Sequence, residues 1–331
     1  MVPPLRVSSI PRRRLRTTLI AAGVTLLVAA GCASTGARKA GDETSPEIER
    51  LVQLSLDRWL AHEMRLQLVA QKLQVSGADL CGKDVGPVLG LAVTSRDSVP
   101  QILAKAAEKR YPDEHLRVTA VFPGMAAERA GLRPDDVLLT VAGAAAKSAF
   151  AVYLPKRVDA ETVAVRVARA GQELELQIPV TRGCAYPAVL YPGDELNAFS
   201  STRQRFAAFP TTLLRELERD EQLAFVVGHE LGHIIMARVH PAFRNSYETE
   251  NQADYVGVYL TVRAGFAFDA ADVSVFDVIT LGDVNGIDRR TATHPVTPAR
   301  TFALRETLRE IEQKRSSGVA LLPSDRSLLE R

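Results

Sequence analysis

The chain has little of several residue types, and each scarcity narrows its reading. Only 3 of the 331 residues are cysteine, so no more than one disulfide can form within the chain. Neither sign of charge is in excess: 41 basic residues against 39 acidic ones leave a net +2, with nothing that argues for nucleic acid as a partner. Near the start, the apolar run from Leu19 to Ala30 falls short of the roughly 20 residues that a membrane-spanning helix needs. Histidine is also scarce, with 6 in the chain, so a patterned pair of them carries information. What is plentiful is apolar side chain, 46% of the total, enough for a sizeable core in a chain whose length suits two domains.

Two of the histidines stand in Phe225-Val-Val-Gly-His-Glu-Leu-Gly-His-Ile-Ile-Met236, whose apolar surroundings predict a buried helix. His229 and His233 are four apart and therefore share a helix face, where both imidazoles can converge on one ion. Glu230 sits beside them, placed to act on an activated water rather than to bind the ion. Two neutral nitrogen ligands, an open coordination position and a neighbouring base are what a zinc hydrolase needs. A metzincin continuation would require Gly at 236 and His at 239, but those positions hold Met236 and Val239, and His240 is one residue out of place. The third ligand is expected in a second helix that opens at Tyr247-Glu-Thr-Glu-Asn-Gln-Ala-Asp-Tyr-Val-Gly257. There Glu250 and Asp254 lie one turn apart. Glu250 can bind the metal, with Glu248 as a substitute, while Asp254 can hold the outer nitrogen of a liganding histidine. The helix costs of Gly228 and Gly232 fit close backbone packing beside the site.

His229-Glu-Leu-Gly-His233 followed by Glu250-Asn-Gln-Ala-Asp254 resembles the gluzincin metallopeptidases that include HtpX, BepA and the CAAX-prenyl endopeptidases. Asn197-Ala-Phe199, Asp220-Glu-Gln-Leu-Ala224 and Thr293-His-Pro295 with Arg300 resemble further motifs of that family. The likeness covers roughly residues 45–80 and 185–312. It implies one zinc ion per chain on His229, His233 and Glu250, with Glu230 as base and Asp254 behind the ligands. It also implies that Asn197, Ala198 and Phe199 lie on a strand that lines the cleft. His294 would donate to the substrate carbonyl or occupy the free metal position at rest, and Arg300 would be a structural hydrogen-bonding residue.

Residues 82–183 read differently, as short alternating apolar runs separated by Gly and Pro. Val118 to Gly143 closely resembles the core of a PDZ domain, and Val88-Leu-Gly-Leu91 resembles the loop whose amides (Leu89, Gly90, Leu91) capture a peptide C-terminus. Two departures stand out. Asp135 holds a turn position usually taken by Gly, and a helical insertion from Val99 to Arg110 separates loop from core. Cys81 and Cys184 flank this segment and are expected to form a disulfide across the neck of an inserted domain.

The chain begins with Arg6, Arg12, Arg13, Arg14 and Arg16, then the short apolar run, then Ala-Ala-Gly31-Cys32. This reads as a bacterial lipoprotein signal with Cys32 as the lipidated residue. The expected organisation is therefore a signal over 1–31, a tether over 32–45, a peptidase helix over 46–81, the PDZ insert over 82–183, the peptidase proper over 184–315 and a tail over 316–331. In the peptidase proper, strands are expected at 185–191 and 196–200, then a loop to Phe209, a helix from Thr211 and a last helix over 301–314. The expected fold class is α+β: a mainly helical HExxH zinc-peptidase domain with a small β-sheet, interrupted by a β-rich PDZ domain. The expected function is a zinc metalloendopeptidase anchored by an N-terminal lipid in the bacterial envelope, facing the periplasm from the outer membrane. Its partners would be polypeptides, including unfolded or misassembled envelope proteins, in protein quality control. The alternative is a PDZ-led peptide-binding or chaperone-like envelope factor with a latent or gated zinc site.

Overall fold

The computed structural model describes residues 45–153, 160–239, 247–269, 272–276 and 297–324. The expected signal over 1–31, Cys32, the expected tether up to residue 44 and His294 lie outside them. A long helix, α1 (Pro46–Ser76), supports much of what is described. Its start has a clear local cause: Ser45 Oγ accepts from Ile48 N at 3.3 Å, Pro46 takes the first turn, and Glu47 and Glu49 complement the helix dipole. No described helix is long and apolar enough to cross a membrane. Thr44–Arg331 form one compact unit.

The chain leaves α1 through β1 (Val85–Pro87) and returns through β8 (Arg182–Cys184), which pair antiparallel as a two-stranded neck. Cys81 and Cys184 are joined by a disulfide at this neck, with Cα atoms 5.5 Å apart. Between the neck strands lies a mixed segment: β2 (Leu91–Thr94), α2 (Ala104–Arg110), β3 (Arg117–Val121), α3 (Ala126–Arg129), β4 (Val137–Val141), β5 (Ala144–Ala145), α4 (Ala149–Tyr153), β6 (Thr162–Arg169) and β7 (Gln172–Pro179). Its sheet has the order β2-β3-β4-β6-β7, with β5 pairing β4, and its core is separate from that of the helices. Asp135 adopts φ 69°, the left-handed turn conformation that an aspartate tolerates. The inserted helix does not belong to this second core. Leu103, Ala106, Ala107 and Tyr111 pack instead with the α1 side chains of the first core, so the insertion is a bracket between segment and helix.

After the neck come β9 (Ala188–Tyr191), β10 (Phe199–Ser201) and β11 (Phe206–Pro210), then α5 (Thr211–Glu216), α6 (Asp220–Val239), α7 (Tyr247–Arg263) and α8 (Pro298–Ser316). The sheet order is β10-β11-β9, with β11 parallel to β9. The expected loop up to Phe209 is thus a strand, and the central one. Arg205 at φ 59° turns the chain, and Ala207, Ala208 and Phe209 bury as the strand returns. Residues 317–324 also fold back: Lys314 Nζ donates to Leu322 O at 2.6 Å, and Ser324 N donates to Tyr255 Oη at 2.7 Å.

One face of α1 carries Gln67, Gln71 and Gln74, all buried. Gln67 Nε2 donates to Ala188 O (2.9 Å) and Gln74 Nε2 to Tyr186 O (2.8 Å), while Gln71 bonds to the start of β2. Close by, Glu63 Oε1 accepts from Gln67 Nε2 (3.2 Å) and Tyr153 Oη (3.4 Å). Burial pushes the Glu63 carboxyl up to about 7, against those two hydrogen bonds. The unfolded chain ionises this group near its ordinary value of 4.5, so between there and pH 7 the folded protein holds an extra proton. Stability therefore falls as pH rises through that window, by up to about 1.4 kcal/mol per pH unit. Denaturant melts at pH 5 and pH 7.5 should show Glu63→Gln free of this fall. Identical pH dependence in the two proteins would mean that Glu63 is not held as a neutral acid.

Candidate metal centre

The site begins with how closely α6 and α7 approach. A Cβ placed on Gly228 would stand 2.7 Å from Gly257 O, and one on Gly232 would stand 2.7 Å from Ala253 O. Both obstacles are backbone, so neither can swing aside. The two glycines and the small residues opposite them let the antiparallel helices pack backbone against backbone, and this carries Glu250 across to the histidines. His229 Nε2 lies 3.0 Å from His233 Nε2 and 3.6 Å from Glu250 Oε2, and His233 Nε2 lies 3.3 Å from Glu250 Oε1. Ligands around a tetrahedral zinc at about 2.0–2.2 Å stand roughly 3.3–3.5 Å from one another, so these spacings suit such an ion. His229, His233 and Glu250 are the group of described residues whose donor atoms converge closely enough, all within 4.8 Å, to hold a metal.

Behind the donors runs a buried chain of charge. His229 Nδ1 is 2.8 Å from Asp254 Oδ1, which directs Nε2 toward the donor cluster. Arg300, at 1% exposure, donates through Nε to Asp254 Oδ2 (2.5 Å) and through Nη2 to Asp254 Oδ1 (2.8 Å). Its Nη1 stands 3.0 Å from Glu250 Oε2, and its guanidinium carbon lies 5.0 Å from the centre of the Phe276 ring. Thr297 caps α8 by accepting from Arg300 N at 3.2 Å, which settles where the arginine projects. Burial alone would raise the Asp254 carboxyl, but the bonds from Arg300 and His229 outweigh it and hold the group below its ordinary value. Burial and the neighbouring His233 lower His229, despite Asp254, so its neutral, metal-binding form is favoured. Such a donor set, with one imidazole oriented from behind, fits zinc.

Glu230 is buried next to His229 on α6. Both line a crevice of about 10 Å³, together with Asn197, Ala198, Leu213 and Arg300. That is room for about one water molecule. Asn197 and Ala198 precede β10 rather than lying on it, and Phe199 is on the strand but turned out. Its ring is 48% exposed and packs against Tyr191 and Phe206. At the other expected binding loop, Leu89 O accepts from Ala127 N, and Gly90 (φ 85°) would drive a Cβ to 2.3 Å from Met125 Cβ. The amides of Gly90 and Leu91 point to Gln71. Sequence reading had no signal for the second bond of Arg300, to Glu250. The buried glutamine stripe on α1 has a sequence signal, a helical repeat at 67, 71 and 74.

Gly232→Ala should force α6 from α7 and weaken zinc binding at least about tenfold in equilibrium dialysis, since ligand placement tolerates little displacement. Asp254→Ala should weaken it about 10- to 100-fold. Wild-type affinity in the first variant would separate the helix contact from the metal site, and in the second would remove the orienting role of Asp254.

No curated protein matches the chain. Among solved structures, an HtrA-type protease AlgW with a decapeptide is 23% identical over 30% of this chain and 30% of its own, at a TM-score of 0.25. The HtrA3 PDZ domain bound to a phage-derived ligand is 15% identical over 30% of this chain and 88% of its own, at a TM-score of 0.24. The chain thus spans less than a third of the AlgW chain that it matches. Residues 161–247, which include His229, Glu230 and His233 and stop short of Glu250, match the model of Peptidase family M48, and this match supports a zinc metallopeptidase.

Proposed function

We propose that this chain is a zinc-dependent endopeptidase, tethered to a bacterial envelope membrane by a lipid on Cys32 and acting on unfolded or misassembled envelope proteins. The observation that carries the enzymatic part is the convergence of His229 and His233 of α6 with Glu250 of α7, and of Glu230 buried beside the two histidines on α6. A binding protein has no need of that fourth group. When bound, zinc supplies an electrophile that acidifies water and polarises the scissile carbonyl. The chain's own residues do the rest. Glu230 accepts the proton of the attacking water on a carboxylate oxygen and delivers it to the leaving amine nitrogen. Asp254 and Arg300 keep His229 in one tautomer and one orientation throughout, because a buried, paired carboxylate stays ionised as the proton moves. Asn197 and Ala198, which line the crevice, position the substrate backbone, and His294 donates to the carbonyl oxygen as negative charge develops there.

The envelope placement is supported by the lipoprotein-like start and by the bonded pair Cys81–Cys184, which suits an oxidising compartment. The experiment is cleavage of casein by the purified protein, with zinc counted by metal analysis and Glu230→Gln in parallel. Zinc near one per chain in both proteins, with cleavage in wild type lowered at least about a thousandfold in the variant, is the expected result. Unchanged cleavage by Glu230→Gln would sink the mechanism. Full zinc with no cleavage by wild type would favour a peptide-binding factor instead.

A further inference from the structure

Strand β2 lies at the end of the inserted sheet and pairs only with β3. Its outer edge offers alternating N–H and C=O groups, the template on which an extended peptide adds as a further strand. The chain fills that edge with its own side chains. Gln71 Oε1 of α1 accepts from Gly90 N (2.9 Å) and Leu91 N (3.2 Å), and Gln71 Nε2 donates to Leu91 O (2.7 Å). The next outward amide, Val93 N, donates to Tyr153 Oη (3.1 Å), and that hydroxyl donates to Glu63 of α1. Gln71 is 4% exposed, so water cannot replace these bonds where they stand.

The receiving loop has the shape of an anion cradle. Gly90 sits at φ 85°, and two successive amides converge on one oxygen, the concave arrangement that favours an anion. A neutral amide oxygen is a weaker acceptor there than a carboxylate. The resemblance of Val88-Leu-Gly-Leu91 to a PDZ loop implies that this anion is the carboxylate of a chain end, with the residues before it running along β2. Beside the edge lies a cavity of about 140 Å³ whose wall is mostly apolar, with Val93, Phe150 and Leu190, and polar at Glu63, Thr94 and Ser98.

We propose that Gln71 is an internal stand-in for a peptide C-terminus, and that a polypeptide end with a free carboxylate and apolar last residues binds β2 only by displacing it. Binding then breaks the polar link between the insert and α1, so the occupied and the docked states exclude each other. This does not depend on catalysis, since it concerns only what holds the β2 edge.

The test is an array of decapeptides ending in Val, Leu, Ile or Phe, each with a free carboxylate or a C-terminal amide, probed with intact wild type, Gln71→Ala, the near-isosteric Gln71→Met and Tyr153→Phe. With three backbone bonds no longer competing, both Gln71 variants should bind free-carboxylate peptides at least about tenfold tighter than wild type, and amidated ones no better. Tyr153→Phe keeps the ring and should give a smaller gain in the same direction. The proposal is overturned by equal binding across the four proteins, by no binding to any of them, or by gains that ignore amidation.

Discussion

Everything at the metal centre depends on two helices touching backbone to backbone. Gly228 faces Gly257 and Gly232 faces Ala253, with no room for a Cβ on either α6 glycine. One extra methyl at this seam would act on atoms that cannot rotate away. The helices would separate, and Glu250 would leave the reach of His229 and His233. The helix-propensity cost of each glycine, about 1 kcal/mol, is offset by the burial this contact permits and by the ligand set it assembles.

Bringing the donors together also buries charge, which is stable only when paired. Arg300 resolves this by bonding Asp254 with two nitrogens and approaching Glu250 with a third. It comes from α8, so the site is complete only when that helix has packed. Arg65 plays a related role at the other end. It bonds Leu217 O and Asp220 from α1 and so fixes where α6 begins.

Helix α1 is therefore more than packing. Its apolar positions enter the first core, and its glutamines bond to the segment before β9, to β9 and to β2, so one helix face holds backbone of both the insert and the small sheet. The disulfide at the neck constrains the same junction covalently and, by linking cysteines 103 residues apart, restricts the unfolded chain by about 4.7 kcal/mol.

The donor residues could be read directly from sequence because their relation is local: four residues make one helical turn, whatever the rest of the chain does. For the same reason Glu250 and Asp254 could be placed on one face, and the alternating runs of the insert could be read as strands. What tertiary structure alone decided lies between distant segments. It brought Glu250 against the histidines, gave Arg300 its second carboxylate, made 206–210 the central strand of a sheet and drew Leu103 to Tyr111 into the core of the helices. It also set three glutamines of an ordinary helix against backbone carbonyls of β2, of β9 and of the segment before β9, 20 or more residues away. Periodicity records which face of an element is apolar. It does not record which backbone that face will meet, because the approach of two elements is set by the side chains of both.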